Sequence, residues 1–136
     1  MKGAKAGVAA AAAWAACEPI LGRVLGTPYS DVRLLGRAVT RGRGWPAVGL
    51  AVHLANGAAF GTAFERLGLH GRRDAVIAAE MENLVLWPVM LVVDRAHPDG
   101  RDDSWPPLFT NRRVFVYEVA THVVFGAVLG TLVRKR

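Results

Sequence analysis

Four apolar stretches, each about as long as a bilayer is thick, constrain this sequence more than any other feature. Ala6 to Gly22 carries one ionisable carboxylate, Glu18, and Pro46 to Phe64 carries one titratable side chain, His53. Ala75 to Val93 holds Glu80 and Glu82, and Val114 to Val133 holds Glu118 and His122. A helix needs ~20 residues to cross ~30 Å of hydrocarbon, so each stretch is long enough to span. Charged residues gather between the stretches, whereas a water-soluble helix carries them along its whole wet face. The expected architecture is an all-α, integral membrane four-helix bundle forming one transmembrane domain. Its spans lie at about 7–25, 46–64, 75–93 and 114–133, in a multi-pass protein of the cell membrane.

The formal charge of +6 fits this reading, because the basic residues flank the apolar stretches, where they would meet anionic lipid headgroups. No recognition helix and no aromatic–basic interleaving point to nucleic acid. With even spans the termini and the middle turn carry eight Lys and Arg residues and the two longer loops nine, so charge bias sets no orientation. Lys2 and Lys5 before an alanine-rich run, with Trp14-Ala15-Ala16-Cys17 behind, resemble a lipoprotein signal. Trp fits that cleavage box poorly and the apolar character continues through Ile20 and Leu21, so a retained first helix is expected. Cys17 is the only cysteine, which excludes an internal disulfide.

Between spans one and two, Ser30 caps a short amphipathic helix with Asp31 in its first turn. Val32, Leu35, Ala38 and Val39 share one face, opposite Arg33, Arg37 and Arg41, as in a helix lying in a membrane interface. Pro46 starts span two and Pro88 interrupts span three. The segment 96–113 reads as a solvated loop. Its His97, Asp99, Asp102 and Asp103 lack the calcium-loop spacing, and Trp45 and Trp105 are expected in an interfacial aromatic belt. His70, beside Arg72 and Arg73, reads as a headgroup contact.

Spans two and four share a pattern. His53-Leu-Ala-Asn-Gly57-Ala-Ala-Phe-Gly61-Thr62 and His122-Val-Val-Phe-Gly126-Ala-Val-Leu-Gly130-Thr131 both read H-x-x-x-G-A-x-x-G-T. The repeat is what two helical hairpins related by a pseudo-two-fold axis would show. Gly57, Gly61, Gly126 and Gly130 make small-x-x-x-small faces that allow close helix packing, within the chain or in a homo-oligomer or larger membrane complex. The histidines, one turn away on the same faces, should point into the bundle.

Charge in hydrocarbon is costly, ~2.5–3.5 kcal/mol on insertion scales, so buried ionisable residues mark candidate sites. Glu18, His53, Glu82 and His122 fall near mid-span, one per helix, with Glu118 one turn from His122. Glu80 and Asn83 share a face of span three turned away from Glu82, so either glutamate is a candidate for the inward face. Asn56 lies at similar depth. Three chemistries fit the cluster. A proton or ion relay would use buried carboxyls beside imidazoles. A metal ion would take His53, His122, Glu18, Glu82 and Glu118. A b-type haem would take His53 and His122 as axial ligands. A structural or accessory subunit, in which these groups only hydrogen-bond across helices, is the plain alternative. No phosphate loop, nucleophile elbow or thiol motif marks an enzyme.

The segment Asp31-Val-Arg-Leu-Leu-Gly-Arg and the His-x-x-x-Gly spans resemble small uncharacterised four-helix membrane proteins of high-GC, actinobacterial-like bacteria, which implies a bacterial inner-membrane setting and no particular activity. Size and a mid-helix glutamate in span one also resemble the small multidrug-resistance transporters, whose remaining pattern this sequence lacks.

Overall fold

The computed structural model describes residues 2–133, and the basic group Arg134, Lys135 and Arg136 lies outside them. The first helix, α1 (Lys2–Leu25), buries Gly3, Ala6, Gly7, Ala10, Ala11, Trp14 and Glu18, a stripe at three- and four-residue spacing. It begins earlier than expected because Lys2 and Lys5 are part of the helix. It stops at Gly26, whose φ of 61° is a left-handed conformation that favours glycine. The Thr27 N–H then donates to the Gly22 carbonyl at 3.0 Å and the Gly26 N–H to Arg23, closing the helix end.

Helix α2 (Asp31–Val39) starts where expected, with the Ser30 hydroxyl accepting from the Arg33 N–H at 3.1 Å. Helix α3 (Trp45–Arg66) has Pro46 in its first turn. Helix α4 (Gly71–Leu86) passes through a 3₁₀ turn at Trp87–Val89 into α5 (Met90–Ala96). Pro88, with no N–H to donate, accounts for that interruption. Helix α6 (Arg112–Leu132) is capped by Asn111, whose side-chain oxygen accepts from the Arg113 N–H.

The described residues contain no strand, and four helices are long and apolar enough to cross a membrane: Lys2–Leu25, Trp45–Arg66, the α4–α5 unit Gly71–Ala96, and Arg112–Leu132. Large apolar side chains such as Val24, Leu67, Val85 and Val92 stand exposed on the outside.

Helices α1 and α6 occupy the middle. α3 packs on α1, α4 packs on α6, and α2 lies across α3. The α1–α3 seam is backbone against backbone: a Cβ on Gly7 would collide with the Gly57 carbonyl, and one on Gly3 with that of Gly61. At the α4–α6 seam a Cβ on Gly126 would lie 2.6 Å from Val76 Cα, and one on Gly130 would strike Gly71. The repeated glycines therefore face α1 and α4 respectively, not each other, and the chain's own helices cover them. Gly36 and Gly49 make a third close crossing, between α2 and α3.

The segment after α5 is not a solvated loop. His97, Asp99, Trp105 and Leu108 are buried. Asp99 accepts from Arg33 Nε at 2.8 Å and Arg37 Nε at 3.2 Å, and Arg33 also reaches Asp102 at 3.2 Å. His97 Nε2 lies 2.9 Å from the Leu34 carbonyl, and its ring stacks on Trp105 at 5.6 Å. The Asp94 carboxylate accepts from the Leu108 and Phe109 N–H groups. Two arginines expected to face headgroups thus hold this segment on α2, and Trp105 is core rather than belt, covered on one face by Arg33 at 4.8 Å. His70, expected at the surface, is half-buried, and its backbone N–H donates to Asp74.

Candidate functional site

Because α3 packs on α1 and α4 on α6, the outer helices α3 and α4 leave a cleft between them. This cavity of about 160 Å³ has its floor on α1 and α6, formed by Ala11, Trp14, Glu118, His122 and Phe125. His53, Asn56 and Phe60 line one wall, and Glu82, Asn83 and Trp87 the other. Asp31 and Leu35 close the end beneath α2. Asn56, Glu82 and Leu86 are exposed, so the cleft opens sideways on the apolar outer surface.

Trp14 organises the floor. Its ring meets His53 at 5.0 Å and His122 at 4.5 Å, both edge-on, and its indole N–H donates to Asp31 Oδ2 at 2.9 Å. His53 Nε2 donates to the Ala11 carbonyl at 3.1 Å. His122 Nδ1 lies 2.7 Å from the Glu118 carbonyl, a position only an N–H can satisfy, so Nε2 carries the lone pair. That free Nε2 faces Glu82 Oε2 at 3.8 Å, and Nδ1 lies 3.6 Å from Glu118 Oε2. His122 thus stands between a carboxyl at the mouth and a carboxyl in the interior.

Beyond Glu118 the carboxyls of Asp31 and Glu18 and the hydroxyl of Tyr29 complete a buried cluster. Tyr29 donates to Asp31 Oδ1 at 2.9 Å. Glu18 accepts from the Asp31 N–H at 2.9 Å, from the Val32 N–H at 3.3 Å and from the Ser30 hydroxyl, so an α1 side chain caps α2. Among the described residues no Lys or Arg pairs with Glu18, Asp31 or Glu118. Burial, then the neighbouring Glu18 carboxylate, push the Asp31 carboxyl up to about 7, against the pull of the Tyr29 and Trp14 hydrogen bonds. Burial likewise holds the Tyr29 hydroxyl well above the usual phenol range. Glu118 Oε1 and the Tyr117 hydroxyl have no hydrogen-bond partner although both are fully enclosed.

Of the residues singled out in the sequence, His53, Asn56, Gly57, Glu82, Asn83, Glu118 and His122 line the cleft. Glu18 lies behind it as the cap. Glu80 does not line the cleft and lies within 3.4 Å of the Asn83 amide, so of the two glutamates of this helix it is Glu82 that faces the cleft. Gly61, Gly126 and Gly130 belong to the seams. Trp14, Tyr29 and Asp31 were missed as site residues. The signal for Trp14 was its position one turn before Glu18 on the same helical face.

The donor set does not suit the two cofactors considered. Among the described residues no three His, Cys, Asp or Glu side chains are grouped so as to hold a metal ion. A haem between His53 and His122 would need both imidazole edges and the space between them. Trp14 fills that space, and the Ala11 carbonyl takes His53 Nε2.

No family model matches the chain, and no curated protein or solved structure is similar to it.

Proposed function

We propose that this chain is a multi-pass protein of a bacterial inner membrane, a bundle of two glycine-seamed hairpins related by an approximate two-fold, whose central cleft relays protons. Exposed apolar side chains along all four long helices support the membrane setting, since in water they would be an aggregation surface. The matching His-x-x-x-Gly segments, each seated on its own partner helix, support the paired hairpins.

The observation that carries the relay is the placement of His122, with a free Nε2 towards Glu82 and an N–H at Nδ1 beside Glu118. A proton leaving the Glu82 carboxyl enters Nε2 and makes the imidazolium. Loss of the Nδ1 proton to Glu118 restores a neutral ring, and tautomer exchange resets it. Both gaps exceed direct hydrogen-bond reach, so each transfer calls for a bridging water, and the cavity that Glu82, His122 and Glu118 line is large enough to hold water. From Glu118 the proton reaches Asp31, poised near neutrality, and then Glu18 and Ser30, which is half-exposed at the α2 end. With no Lys or Arg paired to it among the described residues, the carboxyl cluster favours holding protons, because adjacent like charges in a low dielectric repel too strongly for all to ionise.

The test is proton flux in liposomes loaded with a pH-sensitive dye. The purified protein should collapse an imposed pH gradient at least about a hundredfold faster than the Glu82→Gln, Glu118→Gln or His122→Phe variants, the lower end of what removing one general acid or base costs. Flux equal to that of protein-free liposomes would overturn the relay.

A further inference from the structure

We propose a second site, independent of the relay: an arginine-lined pocket at the α2–α5 end of the bundle that binds a phosphate group. The pocket, about 400 Å³, is bounded by Arg37 from the last turn of α2, Arg41 from the linker after it, Arg95 from the last turn of α5, and Arg101 with His97 and Asp99 from the segment that follows. Its one carboxylate is already committed, since Asp99 bridges Arg33 and Arg37. His97 is committed too: one ring nitrogen lies against the Leu34 carbonyl, and the other accepts from the Asp99 N–H at 3.1 Å. Arg37 also donates to the Arg41 carbonyl at 2.9 Å, which ties the end of α2 to the rim.

Arg41, Arg95 and Arg101 have no ion-pair partner among the described residues, and all three are exposed around the opening. Three guanidiniums around one opening give it a positive potential that favours an anion. Their planar forks can each take two oxygens of a phosphate in a bidentate, charge-assisted pair. The site is built rather than merely charged, because buried Asp99 and His97 fix its floor and leave the outer arginines free. The pocket lies where α3 begins and α5 ends, the depth of the headgroups if the long helices span a bilayer. Two sources therefore supply the same chemistry: the headgroup of an anionic phospholipid, or phosphate free in solution.

Thermal unfolding of the detergent-purified protein separates them. One arm adds phosphatidylglycerol against phosphatidylcholine, and the other adds inorganic phosphate against chloride at equal ionic strength. We expect a saturable rise in Tm in one arm, and the Arg41→Gln/Arg95→Gln/Arg101→Gln variant should weaken the apparent affinity by at least about tenfold. A response to phosphatidylglycerol alone identifies a headgroup site, and a response to inorganic phosphate identifies a soluble ligand. No saturable response in either arm, or the same response from the triple variant, overturns the proposal. The variant should keep the wild-type Tm in phosphatidylcholine and chloride, since those arginines hold no carboxylate in the fold. Arg101→Glu alone, in the segment outside the long helices, repeats the comparison should the triple variant fail to fold.

Discussion

The two ends of the bundle are held together by opposite means. At the end where α1 begins and α6 finishes, glycines bring backbones into direct contact at both seams, and the core between them is alanine, phenylalanine, leucine and valine. At the other end, beside the glycine crossing of α2 on α3, carboxylates tie α1 and the segment after α5 to α2: Glu18 on the α2 N–H groups, Asp31 on Trp14 and Tyr29, and Asp99 on two arginines. At the glycine end the seams close to backbone contact, with Glu65 on the Gly3 N–H and Arg72 on Thr131 bonding across them. The polar end departs from that, keeping a cavity and leaving Glu118 Oε1 and the Tyr117 hydroxyl unsatisfied. Interhelical hydrogen bonds in membranes contribute ~0.6 kcal/mol on average, so stability alone is a weak reason to assemble such a group. A proton path is a sufficient one.

The comparison predicts unequal responses to substitution. The largest belongs to the seam. Gly7→Val puts a branched side chain into the Gly57 backbone, where no rotamer relieves it, and should cost about 3 kcal/mol or more, read as loss of the folded species on size exclusion. The next is pH-dependent. The folded protein holds Asp31 near 7 against 3.8 for the free side chain, so burial favours its protonated form. Stability from this group is fully present below about pH 4 and is lost as pH rises through 7, by a few kcal/mol at most. Asp31→Asn should flatten that fall in a Tm-against-pH series. If Tm rises between pH 5 and 8 in the wild type, the sign of the argument is wrong. Smaller still, Glu18→Ala removes a cap and should cost about 1–2 kcal/mol, with the loss concentrated in hydrogen exchange of the α2 amides. The smallest effect is at the mouth of the cleft. Glu82 is half-exposed, so Glu82→Gln should change stability by less than about 0.5 kcal/mol while abolishing proton flux. A matching loss of stability would make Glu82 a packing residue.

What the sequence disclosed divides along the same line. The four long helices, the Ser30 cap and the break at Pro88 are legible because each rests on local pattern. The His-x-x-x-Gly repeat correctly marks faces of close approach, since spacing determines which side of a helix is small. It does not say which helix lies opposite, and α1 and α4 take those places through their own glycines, Gly3, Gly7 and Gly71. The polar end was misread where the interaction is distant in sequence. Arg33 and Asp99 are 66 residues apart, so an arginine face looked free and its carboxylate looked solvated. Glu18 looked like a mid-span ligand because nothing local reveals that the chain, after its turn at Gly26, sets the α2 amides back on its carboxylate. Trp14, read against a cleavage box, is the ring on which both histidines rest.

The central claim is that the Asp31–Glu118 cluster holds exchangeable protons near neutral pH. Infrared absorption of the protein in lipid, titrated from pH 5 to 9, observes carboxylic acid carbonyls directly. The account predicts a protonated-carboxyl band at pH 6 that declines with a midpoint near 7, loses that step in Asp31→Asn, and shifts in Glu118→Gln. A spectrum with every carboxyl already ionised at pH 6, or a step unchanged in both variants, would contradict it.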